Sequence, residues 1–346
     1  MCELLAVSSS RPTGIHVSLR ELARHGGLSG PHRDGWGVAC YEDGEARVFR
    51  EAEPACGSAL LRFLRERRLA SDLFVCHIRQ ATQGRRGLRN TQPYARELGG
   101  RLHVFAHNGN LELRDGALRT GRFRPIGETD SERAFCHLLG ELDELWLGAE
   151  GPPPLAARFE IVSRFAAAVR ALGPANFVYC DGQALFAHSD VRRHAAGEEV
   201  RAPGLHALWR NFVAESPAPA PFGLEHEPEQ RAVLVASVPL GREGWIPLPR
   251  GELIVVVGGH LAAATPGVSA KVEAEPVVRP APVSALPASM KTLTRAESSR
   301  GPSTMLGSRV GNPPPISPAL DGAGCVGPPR HPSRDRIVGA PCRRRR

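Results

Sequence analysis

A cysteine at position 2 is followed at once by the short apolar run Glu3 to Val7, so the first strand of the fold starts at the head of the sequence. That run reads as a strand holding the thiol at a sheet edge. Cysteine is small enough for the initiator methionine to be trimmed. The expected mature chain then begins with a thiol and a free α-amine on one residue. A thiolate attacks carbonyl carbon well, and an α-amino group with a pKa of about 8 can take up its proton near neutral pH. A cysteine in second place also occurs with no chemical role, and the polar segments downstream decide between the two.

Periodicity predicts strands mixed with helices. His16 to His25 has helical spacing and stops at Gly26-Gly27. Trp36 to Tyr41 and Ala46 to Phe49 read as a hairpin reversed by Glu42-Asp43-Gly44. Ser58 to Arg68 is an amphipathic surface helix. Further strands are expected at Asp72 to Ile78, Leu102 to Ala106, Asn176 to Cys180, Ala184 to His188, Arg231 to Val238 and Glu252 to Val257. Two long helices, Ser131 to Leu147 and Leu155 to Leu172, complete an α+β pattern of sheets covered by helices. Gly35 and Gly37, on either side of Trp36, mark backbone that must pass close to another segment.

Three polar clusters interrupt this pattern. The strand ending at Ile78 runs into Arg79-Gln80-Ala81-Thr82-Gln83-Gly84. An arginine there can grip a ligand carboxylate through two parallel hydrogen bonds, or pair with an acid of the protein. Leu102 to Ala106 runs into His107-Asn108-Gly109-Asn110. Asn-Gly after a strand is either a hairpin turn with positive φ or, through the Asn108 amide and the Gly109 N–H, a pair of donors for an oxyanion. Gly127-Glu128-Thr129-Asp130-Ser131-Glu132 opens a helix, with Thr129 or Asp130 as N-cap, and capping alone accounts for most of that segment.

Composition changes sharply near the end. Residues 262–346 contain no Phe, Tyr or Trp and hold 14 of the 31 prolines. They also carry 13 Lys and Arg against 5 Asp and Glu, which accounts for the whole net charge of +8. Such a segment buries too little apolar surface to offset its ordering entropy, and it is expected to be a disordered tail. A folded domain over 2–258 and a tail over 259–346 follow. The terminal Arg343 to Arg346 reads as solvated charge, so neither a specific nucleic acid nor a membrane is an expected partner. Among the eight cysteines no two are spaced CxxC, so no zinc site is implied. With no signal peptide and no apolar run approaching eighteen residues, the expected location is cytoplasmic.

Met1-Cys2, His77 to Thr82, His107-Asn108-Gly109 and Gly127 to Glu132, taken in that order, resemble the class II glutamine amidotransferase domain, one of the N-terminal nucleophile hydrolases. Asp34-Gly35-Trp36-Gly37 and the Asn90 to Pro93 loop are similar to its short, stand-alone YafJ-like branch. The resemblance implies a four-layer αββα sandwich of two antiparallel sheets. It implies that Cys2 attacks the side-chain amide of L-glutamine and that Asn108 and Gly109 hold the oxyanion. Arg79 would bind the substrate α-carboxylate, supported by Thr82, and Asp130 its α-ammonium, with His107 a further substrate-binding residue. No cofactor or metal is implied. Gln80 and Gln83 stand where members with a synthase partner have Trp and His, so their partner coupling does not carry over.

The expected reaction releases glutamate and ammonia, the latter for a separate acceptor protein. A hydrolase of another γ-glutamyl amide or peptide uses the same glutamyl contacts. A non-catalytic binding module is the remaining alternative.

Overall fold

The computed structural model describes residues 1–265 apart from 68, 115, 196, 212–228 and 242–243. All of these lie within one compact unit, Met1–Arg279. Beyond the expected boundary at 258, the strand His260–Ala264 still pairs with Glu252–Val257. The rest of the expected tail, from 266 onward, lies outside the described residues.

Two antiparallel sheets form the centre. In spatial order the seven-stranded sheet runs Ile246–Pro247, His206–Asn211, Arg231–Ala236, Glu3–Gly14, Ala70–Ile78, Trp36–Glu42, Glu45–Glu51. The six-stranded sheet runs His260–Ala264, Glu252–Val257, Leu185–Ser189, Ala175–Cys180, Arg101–Gly109, Tyr94–Leu98. Among the described residues four helices cover them: α1 (His16–His25), α2 (Ala59–Glu66), α3 (Asp130–Trp146) and α4 (Leu155–Arg170).

The layering follows from strands that are apolar on both faces. In the first strand Leu5 and Val7 join Leu19, Leu22, Leu61 and Leu64 of α1 and α2 in one core. Leu4 and Ala6 point the other way and meet Val104, Ala106 and Val178 of the opposite sheet. Phe105, Phe177 and Tyr179 alternate away from that seam to pack on Phe135, Leu142, Val162 and Phe165 of α3 and α4. Each fully buried Leu, Val or Phe is worth roughly 1.5–3 kcal/mol, and period-two alternation can bury both faces only with a layer on each side. The result is a helix, sheet, sheet, helix stack, as the resemblance implied.

One sequence expectation gives way, and one of two open alternatives is removed. The first strand is not at a sheet edge, because Arg231–Ala236 and Ala70–Ile78 pair with it on either side. A run apolar on both faces is fit for a central position, where both faces are covered. The Asn108-Gly109 pair is not a hairpin turn either. The strand Arg101–Gly109 continues through it, with Asn108 opposite Asn176 and Gly109 opposite Ala175. The expected turn at Asp43-Gly44 is present, with φ of 52° and 82°.

Candidate active site

Register places the candidate nucleophile. Glu3 lies opposite Ile78 in neighbouring strands, so Cys2 and Arg79 emerge side by side at one end of the seven-stranded sheet. The half-buried Cys2 thiol sits on the Gln80 peptide, 3.4 Å from the N–H that donates to it and 3.4 Å from the carbonyl oxygen that accepts from it. Burial pushes this thiol above its ordinary value of 9.0, while the Gln80 N–H, the N-terminal ammonium and Arg79 pull it down and Asp130 pushes it further up. Charges at positions 79 and 130 therefore both reach the sulfur. A thiol raised in this way is not a thiolate at rest, and attack by it requires a nearby base.

Arg79 is 3% exposed. Its guanidinium donates to three loop carbonyls, those of Gln83 at 2.8 Å, Gly84 at 3.1 Å and Arg85 at 3.2 Å. Among the described residues no acid pairs with it within salt-bridge distance. Of the two alternatives left open by the sequence, pairing with a protein acid is therefore not seen among the described residues. A carboxylate would replace neutral acceptors with a charged one, and charge-assisted bonds are roughly twice as strong.

Asn108 is fully buried, and its Nδ2 donates to Ser237 Oγ at 3.2 Å. The same hydroxyl accepts from Leu4 N at 3.1 Å, which ties the amide to the strand that starts with the nucleophile. Nδ2 carries a second N–H beyond that bond. Asn176 Nδ2 donates to the Asn108 carbonyl at 3.0 Å and to Val191 O at 2.9 Å, fixing the backbone there. Gly109 cannot be replaced cheaply, since a Cβ would lie 1.8 Å from the Pro174 oxygen.

Thr129 is the N-cap of α3, its hydroxyl accepting from Glu132 N at 3.2 Å. Asp130 is thereby released from capping. Its Oδ2 accepts from Leu111 N at 2.7 Å, and Oδ1 has only a long 3.4 Å contact with the Ser131 hydroxyl. His107 meets Ser131 Oγ at 2.9 Å, and burial lowers its ring below 6.5 against the pull of Asp130. His77, also buried, is lowered to about 3 by burial and by the charges of His32 and Arg79. Both rings are held neutral. Thr82 is exposed on the loop and is not brought into this buried group. Gln83 reaches across instead, its Nε2 donating to Asn110 Oδ1 at 2.8 Å.

Residues without a role in the sequence reading surround the N-terminus. The Met1 ammonium donates to Gln80 Oε1 at 2.6 Å, and Arg193 N donates to the Met1 sulfur at 2.8 Å. Burial, helped by Arg192 and Arg193, holds that ammonium below 8.0. His32 Nε2 lies 2.7 Å from the Met1 carbonyl oxygen, and His25 Nδ1 lies 2.8 Å from Glu3 Oε2. His32 stands next to the Asp34-Gly35-Trp36-Gly37 motif, the only signal that could have marked it. Ser237 had no signal, being one serine after a strand whose partners are set by pairing more than two hundred residues away.

A cysteine thus heads a central strand of the four-layer αββα stack. A family model described as class-II glutamine amidotransferases matches residues 1–278, and the chain belongs to that family of enzymes. The chain is 37% identical over 254 residues to YafJ of Escherichia coli (strain K12), a candidate glutamine amidotransferase by its name, across 73% of this chain and 96% of that one. It is 30% identical over 266 residues to a candidate glutamine amidotransferase of Haemophilus influenzae, across 76% of this chain and 86% of the relative. Among solved structures, a predicted glutamine amidotransferase from Pseudomonas aeruginosa PA01 superposes with a TM-score of 0.53 at 30% identity, covering 76% of this chain and all of that one. No helix among the described residues is long and apolar enough to cross a membrane.

Proposed function

We propose that the protein hydrolyses the side-chain amide of L-glutamine through a glutamyl thioester on Cys2. With Met1 removed, the Cys2 α-amine takes the thiol proton, directly or through water, as sulfur bonds to the amide carbon. The oxyanion that forms is met by Asn108 Nδ2 and Gly109 N. The protonated amine then gives its proton to the departing nitrogen, which leaves as ammonia. Water adds to the thioester and releases glutamate and the thiol. Arg79 takes the substrate α-carboxylate and Asp130, through Oδ1, its α-ammonium.

The observation carrying this reading is Arg79: a buried guanidinium with carbonyl partners and no acid among the described residues, close enough to act electrostatically on the Cys2 sulfur. Burying such a cation is costly unless a charge arrives to match it. The raised thiol supports a mechanism in which the base is the α-amine.

A second reading shares every glutamyl contact and differs in the leaving group. Arg192 and Arg193 act on the N-terminus beside Cys2, which favours γ-glutamyl amides whose leaving amine carries a carboxylate. The purified protein, checked by intact mass for loss of Met1, should release glutamate from L-glutamine, and Cys2→Ala should abolish release. An unchanged rate in that variant sinks both readings. A panel of neutral and acidic γ-glutamyl amides then ranks them.

A further inference from the structure

His32 sits where a trimmed N-terminus would appear. Its ring is 5% exposed and faces a carbonyl oxygen at each nitrogen: Met1 O at 2.7 Å from Nε2 and His25 O at 3.2 Å from Nδ1. A carbonyl only accepts, and a neutral imidazole has one N–H, so both contacts are made at once only by the doubly protonated ring. Removal of Met1 takes away one of the two acceptors. The Met1 carbonyl oxygen and Cys2 N belong to the same amide and lie about 2.3 Å apart. The new amine is therefore uncovered within about 5 Å of Nε2, a gap that a small shift or one bridging water closes.

We propose that His32 is the positioning residue of the mature N-terminus: Nδ1–H donates to the His25 carbonyl, and Nε2 accepts a hydrogen bond from the Cys2 α-amine. With one N–H committed to His32, the amine's lone pair is left to face the thiol. This rests on the reading above, in which that amine is the base. The proton balance is simple. The thiol proton goes to the amine nitrogen and from there to the leaving nitrogen, and His32 neither gains nor loses one.

Several charged groups share this point. Glu3 Oε1 lies 3.9 Å from His32 Nε2, and the other Glu3 oxygen is held by His25. Arg192 and Arg193 act on the terminus, and Arg79 and Asp130 act on the thiol. His77, within reach of His32, is held neutral by burial. Met1 removal leaves Glu3, His77, Arg79 and Asp130 in place and takes away the Met1 sulfur that accepts from Arg193 N. It also changes the partner of Nε2, from an acceptor that needs a proton on the ring to a donor that needs a lone pair.

The test is a titration of the Cys2 α-amine by NMR in protein labelled with ¹⁵N-cysteine, with Met1 loss confirmed by mass. An acceptor favours the ammonium form, so His32→Leu should lower the amine midpoint by about half a pH unit or more. His32→Gln, whose side-chain oxygen can accept, should restore most of it. Glutamate release should fall about tenfold in kcat for the leucine variant, with KM within about twofold, and recover in the glutamine variant. Coincident amine midpoints in wild type and His32→Leu overturn the proposal, as does a rise in KM with kcat unchanged. If the leucine variant does not fold, His32→Asn, too short to reach, should show the same lowered midpoint. A shifted amine in a protein inert toward every γ-glutamyl amide keeps this inference and sinks the proposed reaction.

Discussion

The two sheets supply the candidate site in different ways. The seven-stranded sheet offers its residues from strand ends: Cys2 just before Glu3, and Arg79 just after Ile78. The six-stranded sheet offers Asn108 and Gly109 from inside a hydrogen-bonded ladder. In the proposed reaction the groups that exchange partners are at the ends, where Cys2 would lose a neighbour on trimming and Arg79 would trade loop carbonyls for a carboxylate. Groups that must stay still are in the ladder, braced by Asn176 and Ser237. Oxyanion donors contribute most when they need not reorganise during the reaction, and a ladder provides that.

That contrast can be broken at several points. The largest effect is expected from Asn108→Ala, which should lower kcat by about 10²-fold or more while leaving KM within a few-fold. Steady-state glutamate release measures both, and a KM effect as large as the kcat effect would place Asn108 among the binding groups. Arg79→Lys should act the other way. Loss of the planar fork should raise KM roughly tenfold or more with kcat little changed, and a pure kcat loss would contradict the division. The smallest effect is on stability, at the Glu3–His25 pair. The Glu3 hydrogen bond and charge raise His25 above 6.5, so its contribution is complete below that value and fades as pH rises through the raised one. Burial would raise Glu3, but His25, His32 and Arg192 outweigh it and hold the carboxyl below 4.5. Its contribution is complete above that value and fades as pH falls through the lowered one. Both are present between 4.5 and 6.5. His25→Ala should therefore cost about 1 kcal/mol near pH 5.5 and clearly less near pH 9, read from urea midpoints.

Much of the fold was legible in the sequence because apolar periodicity is a local signal. The helices at His16–His25 and Leu155–Arg170, and the strands at Ala70–Ile78 and Glu252–Val257, follow from it directly. Tyr94–Leu98 was missed because adjacent Arg96 and Glu97 interrupt its apolar alternation at a sheet edge, and His206–Asn211 because half its residues are polar. At the site, residue types and order pointed to Cys2, Arg79, Asn108 and Asp130. Local sequence could not say that Asn108-Gly109 stays in a strand, since the deciding partner, Ala175–Cys180, is set by long-range pairing. The same holds for Ser237 and His32, whose contacts come from segments brought together only in the folded protein.

The first strand is paired on one flank by residues 231–236, which are synthesised more than two hundred positions later. During synthesis the head of the chain therefore emerges early and waits, unable to complete its sheet until most of the protein has been made. Enzymes that act on nascent chains have that whole interval to reach Met1. If Met1 is removed as proposed, the interval before the flanking strand arrives is when the first strand is least covered.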